Sequence, residues 1–141
     1  MLRSELFSQS TEGSSGRPEQ LSDVDYRLAR NSVIRNFKGG RLSRLDVCDA
    51  HPELVRAARN VGDLTNEECP ICEGTEVTLV SYAFGSGLDS GGHTITDKDQ
   101  LRRLARRTSE ITCYVVEVCP HCSWNHLARA FRVAGSRRRN G

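Results

Sequence analysis

Hydrophobic and polar positions divide this chain into helical and strand-like stretches. Tyr26, Ala29, Val33 and Phe37 recur at helical spacing with Ile34 beside them, so they predict a first helix. Its start is expected near Ser22, with Asp25 three residues on as in a capping box, and Gly39-Gly40 ends it. A link through Leu42, Leu45 and Val47 leads to a second helix with Pro52 in its first turn. There Leu54, Ala57, Ala58 and Val61 form one stripe, and Gly62 stands where a left-handed C-terminal residue is expected. Val77, Leu79 and Ser81 then alternate with Thr78, Val80 and Tyr82, the pattern of a strand apolar on both faces.

A polar loop, Gly85–Gly92, precedes a third helix, with Thr96 and Asp99 in capping-box positions. Leu101, Leu104, Ala105 and Thr108 form its inward side, and Arg102, Arg103, Arg106 and Arg107 the other. Ile111, Cys113 and Val115 alternate with Thr112, Tyr114, Val116 and Val118 as a second strand. Trp124–Val133 fits either a helix or a strand, and pairing with the preceding strand favours the strand. Met1 to about Gln20 is polar and rich in Gly and Ser and reads as a disordered leader. The expected organisation is a leader (1–20), an N-terminal helical unit (21–64), a sheet domain (65–134) and a basic flexible tail (135–141).

Chemistry enters through two Cys-x-x-Cys pairs, Cys69-Pro-Ile-Cys72 and Cys119-Pro-His-Cys122, each beside a predicted strand. Four thiolates on two tight turns suit a tetrahedral Zn²⁺, which prefers sulfur and in such a closed set has no open position for catalysis. In a familiar zinc ribbon about 15–20 residues separate the pairs. Here Glu73–Val118 intervene, a length explained if the Gly-rich loop and the Arg-rich helix are inserted between the ribbon strands. The predicted class is therefore α+β, a zinc-ribbon-like antiparallel sheet with an inserted helix and an N-terminal two-helix extension.

Alternatives to the Cys₄ set are a Cys₃His site using His126, with His121 the other nearby imidazole, and thiol–disulfide chemistry. Cys113 alternates with Ile111 and Val115 and reads as a buried apolar residue. Cys48, just before a helix, has the placement of a reactive thiol, but the flanking Asp46 and Asp49 oppose its ionisation. His51 and His93 lie in no catalytic pattern. No paired-carboxylate, nucleophile-elbow or phosphate-loop motif is present, which argues against an enzyme.

Charge changes the picture modestly. The net charge is +2, with 27% charged residues. From Leu127 onward there are five arginines (Arg129, Arg132, Arg137, Arg138 and Arg139) and no acid, and Lys38 and Lys98 are the only lysines. Arg102, Arg103, Arg106, Arg107 and Arg137–Arg139 are thus candidate phosphate contacts on RNA or DNA, with Tyr82, Phe84, Tyr114 and Trp124 as candidate stacking faces. The competing view of those arginines is a solvated helix face and a solubilising tail. No apolar run reaches membrane-span length and no secretory h-region appears, so a cytoplasmic protein with reduced thiols is expected.

The segments Val47-Cys-Asp-Ala-His-Pro-Glu-Leu-Val-Arg-Ala-Ala-Arg, Cys69-Pro-Ile-Cys, Leu79-Val-Ser and Val116-Glu-Val-Cys-Pro-His-Cys-Ser-Trp-Asn-His-Leu resemble a domain-of-unknown-function family. Its members are small, cytoplasmic, zinc-ribbon-like actinobacterial proteins. The resemblance covers about Leu21 to Val133. It implies metal binding and a cytoplasmic location and supplies no activity. By analogy of fold alone, zinc ribbons commonly dock nucleic acid or proteins of the transcription and translation machinery. Two functions are expected to compete: association with nucleic acid or that machinery, and a protein–protein adaptor using the N-terminal helices through the Tyr26/Phe37 stripe.

Overall fold

A computed structural model describes residues 19–88 and 91–136. Most of the expected leader and Arg137–Arg139 of the expected tail lie outside the described residues. So do Asp89 and Ser90 of the Gly-rich loop.

The chain runs β1 (Gln20–Asp25), α1 (Arg27–Lys38), α2 (Arg44–Val47), α3 (Pro52–Val61), β2 (Asp63–Glu68) and β3 (Glu76–Gly85). It continues through β4 (His93–Thr94), α4 (Lys98–Ala105), β5 (Glu110–Val118) and β6 (Asn125–Ala134). One antiparallel sheet has the order β1-β6-β5-β3-β2, with β4 also pairing β3. The α+β sheet with an inserted helix is therefore as expected, and the ambiguous last segment is the strand Asn125–Ala134.

Register explains how the insertion is tolerated. β3 pairs β5 from Thr78↔Val118 to Gly85↔Ile111, so the start of β3 lies against the end of β5. The two Cys-x-x-Cys turns are the tips of the β2–β3 and β5–β6 hairpins and emerge at that same end. The β3–β5 connection, carrying β4 and α4, lies at the opposite end. Its length does not disturb the knuckles, and loop-closure cost grows only slowly with length.

Strand alternation sends odd-numbered β5 residues to one face and even-numbered ones to the other. On the first face α4 covers Ile111, Cys113 and Val115 together with Ala83, Phe131 and Val133. Leu101, Leu104, Ala105 and Thr108 are buried, as the stripe predicts. Toward the knuckles, Val33, Ile34 and Phe37 of α1 pack on Val47, Ile71, Val77 and Trp124. On the opposite face Leu54, Ala57 and Ala58 of α3 cover Val80, Val116 and Val118. Helices α1 and α3 thus flank the sheet from opposite sides, and the link expected between them carries the short α2.

Several local expectations are corrected. Ser22 lies inside β1 rather than capping α1, because β1 is an edge strand held by its ladder to β6 and not by an apolar stripe. The Asp23 carboxylate also accepts two hydrogen bonds from Arg129 on β6, at 2.8 and 2.9 Å. α1 starts after Tyr26, where the Asp25 carboxylate accepts from the Arg27 N–H. Asp97, not Thr96, caps α4 by accepting from the Gln100 N–H, while Thr96 donates to the Gln100 side chain. Gly62 has φ −75° and is not left-handed. Close approach requires glycine there, since a Cβ would fall 2.2 Å from Thr78 Cγ2. β2 was not anticipated: only Thr65 is buried along Asp-Leu-Thr-Asn-Glu-Glu, so no alternation announces it.

Candidate metal centre

The knuckles share one local design. Cys69 N–H donates to Thr75 O and Glu73 N–H to Cys69 O in the first, and Cys119 N–H to Trp124 O and Ser123 N–H to Cys119 O in the second. The residue after the second cysteine is left-handed in both, Glu73 with φ 56° and Ser123 with φ 73°. These are the only non-glycine residues of positive φ among those described. Each tight turn aims backbone N–H groups at sulfur: Ile71 N–H donates to Cys69 Sγ and Cys122 N–H to Cys119 Sγ, both at 3.4 Å.

Register brings the two turns together. Cys69 Sγ lies 3.7 Å from Cys122 Sγ, and Cys72 Sγ lies 3.8 Å from Cys119 Sγ. All four Sγ atoms fall within 4.8 Å of one another, so they can hold one metal ion. Cys69 and Cys119 are buried, and Cys72 and Cys122 are half-buried. All the cysteines are free thiols.

Electrostatics fit a site that waits for a cation. Burial pushes the Cys69 thiol up to about 11 and the Cys122 thiol up to about 12, and it raises Cys119 too. At Cys72 burial also acts upward, but N–H donation from Gly74 and the neighbouring sulfurs outweigh it and leave the thiol lowered. A metal must therefore displace protons to bind, as thiolate sites require.

The wall behind the site is a polar triad in an apolar setting. Trp124 is wholly buried and packs on Cys69, Cys119 and Val77. Its indole N–H donates to Glu117 at 2.8 Å. The buried Glu117 carboxylate also accepts two hydrogen bonds from Arg30 on α1, at 2.6 and 2.8 Å. This arrangement ties α1 to the strand that delivers the second knuckle. Sequence reading missed it, because Arg30 and Glu117 are far apart in the chain and no spacing or periodicity links them. Trp124 is consequently unavailable as a stacking face, correcting that expectation.

Cys48 was set apart from the four ligands, yet its Sγ lies 3.5 Å from Cys122 Sγ. Cys113 lies in the α4-side core, its thiol pushed up to about 12 by burial. His126 Nδ1 donates to Leu127 O at 2.7 Å, and its ring stacks on Trp124, 6.0 Å between ring centres. It is not in the cluster, and His121 is an exposed residue of the knuckle. His51 caps α3, its Nδ1 accepting from the Glu53 N–H.

The candidate arginines stand elsewhere. Arg103, Arg106 and Arg107 are exposed on or just after α4, and Arg102 is half-buried and paired with Asp99. α4 covers the odd-numbered face of β5, whereas Tyr114 and its edge-on neighbour Phe84 lie on the other face. The helix arginines and the pair of exposed Tyr114 and half-buried Phe84 are thus not brought together. No helix among the described residues is long and apolar enough to cross a membrane.

Comparison with known proteins agrees with this sequence pattern. An uncharacterized protein of Mycobacterium bovis and two of Mycobacterium tuberculosis strains are each 40% identical to the chain over 114 residues. Each alignment covers 81% of this chain and 83% of the relative. No solved structure matches. The model of the family of unknown function DUF5318 matches residues 18–141, and the chain belongs to that family.

Proposed function

We propose that this protein is a non-catalytic binding module organised by one structural Zn²⁺ ion, and that its ligand is nucleic acid. The observation that carries the zinc assignment is the all-sulfur quartet. A tetrahedron with Zn–S bonds of about 2.3 Å has sulfurs about 3.8 Å apart, and the cross-knuckle separations are 3.7 and 3.8 Å. Cys69, Cys72, Cys119 and Cys122 would occupy every position of a tetrahedral ion, leaving none for water or substrate. That closure supports a structural rather than an enzymatic role. Metal analysis of freshly purified, reduced protein tests it: one zinc per chain is expected. A chain without zinc, or one whose zinc survives removal of Cys119, refutes the site.

The nucleic-acid half rests on the exposed Arg103, Arg106 and Arg107 beside half-buried Arg102 on α4. Exposed guanidinium groups at the C-terminal end of α4 and in the turn after it suit phosphate contacts that position a strand without reading its bases. Binding of labelled RNA and DNA oligonucleotides should be weak and steeply salt-dependent. The double substitution Arg103→Ala/Arg106→Ala should flatten the log–log salt slope by about 1.5, since each lost phosphate contact removes roughly 0.7–0.9. Binding that ignores salt, or a slope unchanged by the substitution, overturns this half.

One observation favours the adaptor as a second reading. Phe37 is spent inward, but Leu28 on α1 and Leu45 on α2 are 84% and 88% exposed. A protein partner recovered after nuclease treatment, and lost with Leu28→Ser/Leu45→Ser, would select this reading instead.

A further inference from the structure

Cys48 is placed by the fold, not left over from it. Val47 before it is buried in the knuckle-side core. Ala50 N–H after it donates to Ser123 O at 3.1 Å, and the Asp49 carboxylate accepts from the Asn125 side chain at 2.9 Å. These contacts fasten the 47–50 segment to the second knuckle from both sides and hold Cys48 Sγ 3.5 Å from Cys122 Sγ. Cys48, Cys72 and Cys122 are half-buried, so a small oxidant can reach them, whereas Cys69 and Cys119 are closed off; of the three, Cys122 is the ligand that Cys48 touches. With the quartet committed to a metal, Cys48 is the thiol that touches a ligand sulfur without being a ligand.

We infer that Cys48 and Cys122 form an oxidation site for hydrogen peroxide, in which Cys48 is the resolving thiol and disulfide formation opens the metal centre. The inference rests on the zinc assignment above. In the first step the Cys122 thiolate attacks a peroxide oxygen: an S–O bond forms, the O–O bond breaks, and the departing hydroxide takes a proton to become water. In the second, the Cys48 thiol attacks the Cys122 sulfenic sulfur: an S–S bond forms, the S–O bond breaks, and the oxygen leaves as water. The two sulfurs together give up two electrons, and one peroxide is reduced to two waters. Three thiolates, Cys69, Cys72 and Cys119, then remain for the cation, and the clamp between the two hairpins is weakened. Cys48 can react at once, whereas any other thiol near Cys122 must first leave the metal. A dithiol reductant returns the two electrons and restores the quartet.

The experiment uses the full chain, first assayed for zinc when reduced, then exposed to hydrogen peroxide with a chromophoric zinc chelator present. Peptides are mapped by mass spectrometry without reduction. The expected result is zinc release together with a tryptic cross-link joining Leu45–Arg56 to Thr108–Arg129, fragmenting as Cys48–Cys122. Dithiothreitol and added Zn²⁺ should then restore the metal. Cys48→Ser should hold zinc with unchanged stoichiometry, lose the cross-link, and recover at least about twofold less zinc, because unresolved sulfenic acid proceeds to irreversible sulfinic acid. Cys48→Ala repeats the comparison without a hydroxyl.

Pairing within a knuckle, Cys69–Cys72 or Cys119–Cys122, would overturn the inference, as would recovery in both variants equal to the parent. Variants that fail to hold zinc would make Cys48 a ligand and equally overturn it. If the reduced parent carries no zinc, the metal assignment falls and this inference falls with it. If the parent holds zinc and only the cross-link is missing, the inference alone fails.

Discussion

Replacing Glu117 by alanine should destabilise the protein more than any surface change, and the structure sets the size. Glu117 accepts two hydrogen bonds from Arg30 and one from the indole of Trp124. Its side chain is 6% exposed and that of Arg30 19%. Removing one partner of a buried pair costs about 3–5 kcal/mol. Water reaching the partly exposed guanidinium argues for the lower end. The orphaned indole N–H adds about 1–3 kcal/mol, reduced if water fills the vacated space. The expected loss is therefore about 3–4 kcal/mol, against a total of about 5–15 for a domain of this kind. Trp124 is the only tryptophan, so its fluorescence reports directly on the affected wall during urea unfolding. Free zinc must be held constant, because metal binding shifts apparent stability. A double-mutant cycle with Arg30→Ala should return a coupling of about 2 kcal/mol. A Glu117→Ala loss below about 1 kcal/mol, or coupling near zero, would refute the idea that this triad fastens α1 to the knuckle strand.

The remaining predictions concern the thiols and one crowded glycine. Cys119→Ser should abolish stoichiometric zinc binding, measured by metal analysis, because site and local fold form together. Cys113→Ser should keep its zinc, since Cys113 packs in the α4-side core, and should lose about 1–3 kcal/mol for placing a hydroxyl there; loss of metal would mean the ligand set is wrong. Zinc binding at pH 7 should release one proton each from Cys69, Cys119 and Cys122, whose thiols burial raises, and affinity should climb with pH. For the metal-free fold the sign reverses: unfolded thiols ionise first, near 9, so stability should decline from about pH 9 upward as the raised folded thiols fall behind. Proton release read with an indicator dye and alkaline melts of the metal-free chain check the two. Gly135→Ala should cost about 1–3 kcal/mol in chemical denaturation, because a Cβ there would lie 1.9 Å from Thr108 O.

How much of this was legible depended on whether a residue's role was local. The cysteine spacing and strand alternation are local signals, and they indicated two turns beside two strands. Helix α4 was readable because its inward residues repeat at helical spacing and its arginines fill the other side. β1 and β2 carried no comparable signal. Both are edge strands whose hold on the sheet comes from backbone ladders, with the Asp23–Arg129 pair added at β1. Ladders leave no compositional trace, so Ser22 read as a helix cap. The Arg30–Glu117–Trp124 triad and the Cys48–Cys122 contact were hidden for another reason. Each joins residues that only tertiary folding brings together, and no periodicity encodes such a meeting.

On the proposed metal site, the sheet and the ion would share the work unequally along the strands. Far from the knuckles, Ala83, Ile95, Leu101, Leu104, Ile111, Phe131 and Val133 make a continuous apolar core that needs no ion. Near the knuckles the core is smaller, and its members Val47, Ile71, Val77 and Trp124 are interleaved with the cysteines themselves. Cys69 and Cys119 belong to that cluster, and Cys72 and Cys122 pack against it. β3 and β5 run through both ends, so their pairing brings the turns together before any metal arrives. Removing the ion should therefore loosen one end rather than dissolve the whole sheet. Hydrogen exchange of the metal-free chain should rise in α1, α2 and both knuckles while β3, β5 and α4 near Ile111 and Leu104 stay protected. Uniform loss of protection would mean that the ion holds the entire fold, and that the α4-side core is too weak to stand alone.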